Sequence, residues 1–136
     1  MPLTDDDRAF LMGSRLGFLT VDPDGGWPTP VPVWFEPVDQ AVRLFTEPRS
    51  GKTRRVRAVP RASLVAANHV GEPEHWVAVE GPARIDPAGA GELAGRLAAR
   101  YWDLSDPALA ATADAWRTAD LVAIVIEAER VTRYQG

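Results

Sequence analysis

Residues 16–35 read LGFLTVDPDGGWPTPVPVWF, and the fold class turns on them. Residues 16–21 are a short apolar, β-prone run that stops at Asp22-Pro23-Asp24-Gly25-Gly26, where proline sets φ and glycine allows φ > 0. That pattern predicts a strand entering a hairpin. Residues 27–35 carry prolines at 28, 30 and 32, none with an N–H for a ladder, and their spacing of two turns all three toward one side. An edge strand satisfies this. On such a strand the amides of Val31 and Val33, unpaired beside the prolines, are candidates to bond a planar heterocycle, while Trp34 either stacks on it or packs as core.

Outward from that hairpin, Thr4 followed by Asp7, Phe10 and Leu11 predicts a capped short helix ending at Gly13. Residues 42–46 predict the next strand. Residues 62–67 and 76–85 predict two more, the second alternating until Gly81 suggests a bulge. Pro87 opens a helical stretch through Leu93, Leu97 and Tyr101, and Ser105-Asp106-Pro107 caps another through Trp116. Residues 121–126, LVAIVI, read as a buried strand running toward Tyr134. About six strands follow one another as hairpins instead of alternating with helices. The expected architecture is therefore mainly β (α+β), a six-stranded antiparallel barrel with short helices, filling one domain over residues 1–136.

Composition removes whole classes of function. No stretch approaches the roughly 20 apolar residues that span a bilayer, and Asp5, Asp6 and Asp7 stand where a secretory leader carries Lys or Arg, so a cytoplasmic protein with no membrane partner is expected. The absence of cysteine excludes disulfides, thiolate metal sites, iron–sulfur clusters and cysteine nucleophiles together. A net charge of −4 argues against a nucleic-acid partner. His69 and His75 flank a loop without metal-ligand spacing, and no metal is expected. Glu80 and Arg84 suit a rim pair better than an acid/base couple.

One segment breaks the acidic balance. Residues 49–61, RSGKTRRVRAVPR, hold Arg49, Lys52, Arg54, Arg55, Arg57 and Arg61 without an acid, leaving 9 bases against 19 acids elsewhere. Ser50 is an N-cap candidate and Pro60 a stop, so one or two helical turns fit between them. Ser50-Gly51-Lys52 at that helix start combine free backbone N–H groups, a hydroxyl and an ammonium, and Arg55 shares the face of Lys52. The segment reads either as a phosphate site or as a charged surface helix.

Taken in order, LGFLTVDPDGGWPTPVPVWF, RLFTEPRSGKTRRVRAVPRASLVAAN and HWVAVEGPARI resemble the pyridoxamine 5′-phosphate oxidase-like split barrels that bind FMN or coenzyme F420. The resemblance spans about residues 8 to 101. It implies a dimeric split barrel with two sites at the interface. Val31, Pro32, Val33 and Trp34 would line the ring system, Phe45 and Thr46 its edge or ribityl chain, and Ser50, Gly51 and Lys52 the phosphate. Trp76 would reach the cofactor from the second subunit. Gly51 stands where the oxidase itself has an arginine, and its basic residue on the ring-lining strand is absent between Thr29 and Phe35, which points away from pyridoxamine phosphate oxidation.

The expected function is an oxidoreductase that uses F420 or FMN to move hydride to or from a small-molecule substrate, with no catalytic side chain assigned. The rival is a non-catalytic protein that binds or senses a flavin or other phosphorylated ligand on the same barrel. A homodimer also follows from the proline-rich edge and five tryptophans, which leave apolar surface that one copy hardly covers. Arginines spread around Lys52 favour the long anionic tail of F420 over the compact phosphate of FMN.

Overall fold

The computed structural model describes residues 2–136. Along the chain run α1 (Asp5–Leu11), β1 (Gly17–Val21), β2 (Val31–Val33), β3 (Glu36–Val38), β4 (Ala41–Thr46), α2 (Gly51–Ala58), β5 (Arg61–Ala67), β6 (His75–Asp86), α3 (Ala90–Tyr101), α4 (Pro107–Trp116), β7 (Val122–Glu127) and β8 (Arg130–Gln135). All strand pairs are antiparallel, in the order β2-β1-β5-β6-β7-β4-β3 with β8 also on β6, and the sheet curls into a split barrel. Among the described residues no helix is long and apolar enough to cross a membrane.

Caps set three of the four helix starts. Thr4 and Asp7 close a reciprocal capping box on α1, Ser50 accepts the Thr53 amide on α2, and Asp106 accepts the Ala108 amide ahead of Pro107 on α4. β7 is buried on both faces, which is why its sequence is an unbroken apolar run. Ile124 and Ile126 join Leu19, Phe35, Leu44 and Leu64 inside the barrel, while Ala123 and Val125 face Leu93 and Leu97 of α3. Glu36 ties that helix down, accepting hydrogen bonds from Arg43 and Arg96 at 2.8 Å each. Burial alone raises the Glu36 carboxyl, but the two guanidinium bonds outweigh it and hold the group below its ordinary range.

Eight strands form where six were expected. The segment 27–35 is not one strand, since only Val31–Val33 pairs and the chain re-enters the sheet as β3, whose Pro37 hid it from pattern reading. The run toward Tyr134 divides likewise, because the chain turns at Ala128 and returns as β8. Gly81 is not a bulge. The β5 register runs without interruption through Ala62↔Gly81 to Arg61↔Pro82, and β6 then leaves for β7 from Ala83. Glu80 and Arg84 are not partners either, as Glu80 lies 3.8 Å from Arg130 while Arg84 lies 3.7 Å from Glu127.

Candidate functional site

β2 lies at one end of the strand order, paired among the described residues only with β1. Pro32 faces Phe18 at the centre of that pair and has no N–H to donate, so the ladder falls to the flanking positions Leu19↔Val31 and Gly17↔Val33. The Val31 and Val33 amides therefore serve β1, not a ligand, which corrects the expectation that they are free.

Beside this edge lies a groove of about 440 Å³. It is lined by Pro32, Val33 and Trp34, by Phe45 and Thr46 at the end of β4, and by Lys52 in the first turn of α2. Trp102, just past α3, and Trp116, the last residue of α4, complete it with Leu16. Trp34 stacks on Tyr101 with rings 5.2 Å apart and 3° from parallel, and meets Trp102 edge-on at 4.8 Å. Trp102 and Trp116 stack at 5.2 Å, and Phe45 tilts against Trp116 at the same separation. Trp34 is thus half core and half wall. The Tyr101 hydroxyl donates to the Arg15 carbonyl at 2.6 Å, and burial raises its pKa, so it stays a neutral donor that ties α3 to the segment entering β1.

Of the residues expected at a site, Pro32, Val33, Trp34, Phe45, Thr46 and Lys52 meet at this groove. Val31 is exposed on β2 and does not line it. Ser50 sits behind Thr46, its Oγ 3.0 Å from the Thr46 hydroxyl and 3.1 Å from the Thr53 amide that it caps. Gly51 opens α2, and the Arg54 and Arg55 guanidinium groups both come within 3.8 Å of where its Cβ would be. Arg54 thus shares the helix start with Arg55. Trp76 does not line the groove and is stacked on Tyr134 across β6 and β8 at 6.4 Å. Leu16, Trp102 and Trp116 escaped sequence reading. The only signal for the tryptophans was their place at the ends of predicted helices, which does not say that two such ends converge.

A second concavity of about 530 Å³ lies around Thr20, Asp22, Arg61, Ser63, Glu80 and Arg130. No aromatic lines it, and its cations are paired, Arg61 with Asp22 at 2.8 Å and Arg130 with Glu80 at 3.8 Å. The aromatic groove is the better binding site on chemistry. Among the described residues no group of three or more His, Asp or Glu could hold a metal ion. His75 instead stacks on Phe10 at 3.9 Å.

The family model described as pyridoxamine 5′-phosphate oxidase matches residues 3–135. The chain belongs to the pyridoxamine 5′-phosphate oxidase family. No curated protein matches this family member in sequence. Solved structures share its fold. An F420 reductase is 23% identical with a TM-score of 0.72, over 92% of this chain and 94% of that one. A FAD-binding protein from Mesorhizobium loti is 25% identical with a TM-score of 0.62, over 98% and 95%. A conserved hypothetical protein from Mycobacterium tuberculosis is 22% identical with a TM-score of 0.70, over 97% and 84%. One of these names declares F420 and another FAD, so the ligand of this chain is argued from its own groove.

Proposed function

We propose that the chain is an oxidoreductase that holds coenzyme F420 or FMN in the groove between Trp34 and Lys52, and that hydride passes there to or from a small molecule. The observation that carries this reading is the meeting of three separate sequence segments, 32–34, 45–46 and 52, in one groove with aromatic walls and a cationic end. The residues fit such a cofactor. Trp102 and Trp116 offer ring edges and faces to a planar heterocycle and exclude water from it. Lys52 and the Gly51 and Lys52 amides at the start of α2, which have no intrahelical acceptor, suit a phosphate. When bound, the cofactor supplies the hydride chemistry. Apart from Lys52, the groove lining among the described residues holds none that titrates, so the chain's part is to bind, orient and shield.

Denaturing the purified protein should release F420 or FMN. Reductant should bleach the bound cofactor and an acceptor restore its colour; bleaching without recovery for any acceptor supports the non-catalytic reading instead. We favour F420. Its negative charge spreads along a tail, and Arg49, Arg54, Arg55 and Arg57 are exposed on and just before α2 with no acid between them. Titration should give tighter binding of F420 than of FMN, weakening strongly with salt as several tail contacts are screened together. Tighter FMN binding, or F420 affinity indifferent to salt, overturns that choice.

The outer sheet face supports a homodimer. Pro32, Phe18, Val65 and Ala78 lie in one cross-strand row, and Trp76 with Tyr134 continues the apolar surface. Phe18 and Tyr134 are 41% and 45% exposed in the single chain, apolar area that a second copy would cover. The family resemblance would then have Trp76 reach the cofactor of the second copy. Sedimentation at micromolar concentration should show a dimer, and a monomer alone overturns the arrangement.

A further inference from the structure

Behind the groove, four oxygens form a chain whose protons have one arrangement. Thr53 Oγ1 lies 2.8 Å from the Glu47 carbonyl oxygen, which carries no hydrogen, so Thr53 donates there. The same Oγ1 is 3.0 Å from Ser50 Oγ and, its own proton committed, accepts from Ser50. Ser50 Oγ, with its proton on Thr53, accepts from the Thr53 amide at 3.1 Å and from the Thr46 hydroxyl at 3.0 Å. One proton and two lone pairs are the whole capacity of a serine hydroxyl, and all are in use. Thr53 is fully buried, so no water competes for its place in the chain.

We propose that Thr46 meets the groove as a hydrogen-bond acceptor only, that it reads an N–H or O–H on the phosphate-free part of the cofactor, and that Thr53 is the positioning residue that sets this polarity. The inference rests on the groove being the cofactor site. An acceptor faces a phosphate oxygen lone pair to lone pair, so the phosphate falls to the Lys52 ammonium and the Gly51 and Lys52 amides. Ser50, with nothing left to offer a ligand, acts as the helix cap. Thr53→Val would leave the Ser50 proton without its acceptor and free to turn onto Thr46, whose own proton would then be released toward the groove.

The test titrates the wild type and variants with two pairs of probes, FMN with riboflavin, and coenzyme F420 with its phosphate-free deazaflavin core. Thr46→Val should lower affinity for both members of the pair that binds by the same factor, about tenfold, because the lost contact does not involve the phosphate. Thr46→Ser should restore it, and Lys52→Ala should weaken only the phosphorylated member. Thr53→Val should weaken binding when Thr46 is present and add nothing in the Thr46→Val background. Thr53→Ser keeps the chain of protons and should behave as wild type; if Thr53→Val does not fold, the Thr46 comparison alone decides. A Thr46→Val loss confined to the phosphorylated probe, or a Thr53→Val loss undiminished in the double variant, overturns the inference. Failure of the wild type to bind any of the four overturns the cofactor reading itself.

Discussion

Lys52→Ala is expected to weaken binding of the phosphorylated cofactor by about 1 to 3 kcal/mol, a loss of roughly 5- to 150-fold in affinity. Among the described residues Lys52 is the only cation that lines the aromatic groove, and it sits half-buried where α2 begins. An ammonium there meets a phosphate with part of the surrounding water excluded, which makes the contact stronger than a surface ion pair. Arg57, exposed toward the other end of the same helix, is the control. Arg57→Ala should change affinity several-fold less, and only by lowering the general field around the helix. Fluorescence titration of both variants with FMN and with F420 measures the difference. Equal losses would mean that the segment acts as a diffuse basic face and that the groove does not hold the phosphate.

Gly81→Ala is expected to destabilise the fold by about 3 kcal/mol or more, lowering the melting temperature by about 10 °C. A Cβ at residue 81 would lie 1.9 Å from the Glu127 carbonyl oxygen and 3.1 Å from the Glu129 nitrogen. Both are backbone atoms, so no side chain can rotate away. The place is structurally demanding, since β6 passes here from pairing with β5 to pairing with β7, and the Glu129 amide donates to the Glu80 carbonyl at 3.1 Å. Spreading these strands would loosen the seam that joins the two sides of the barrel. Gly95→Ala provides the contrast. Nothing lies within 4 Å of a Cβ there, and the residue is inside α3, where alanine favours helix by roughly 0.5 to 1 kcal/mol over glycine. Thermal unfolding of the two variants should therefore move in opposite directions. A Gly81→Ala protein as stable as wild type would mean that the seam yields easily and does not hold the barrel together.

The amino-acid sequence by itself determined what depends on neighbours a few residues apart. Ser50 and Pro60 bracket α2, and Asp106 with Pro107 opens α4, because a cap needs only a side chain and an amide two or three positions on. The burial of β7 on both faces was legible in its unbroken apolar run, and the edge position of β2 in its proline. Order and spacing of the motifs were enough to indicate the family. Tertiary structure alone decided the rest. Trp34 meets Trp102 and Trp116 only because α3 and α4 fold back over the β4 side of the sheet, and no local pattern records contacts across more than sixty residues. Gly81 looked like a bulge because glycine inside a strand has two explanations, and only the approach of the Glu127 backbone selects between them. The surroundings of Ser50 are set by the fold as well. Its hydroxyl is committed by Thr46 at the end of another element and by Thr53 one turn along, and a hydroxyl has a single proton to give, so its role depends on which neighbours the fold brings within 3 Å.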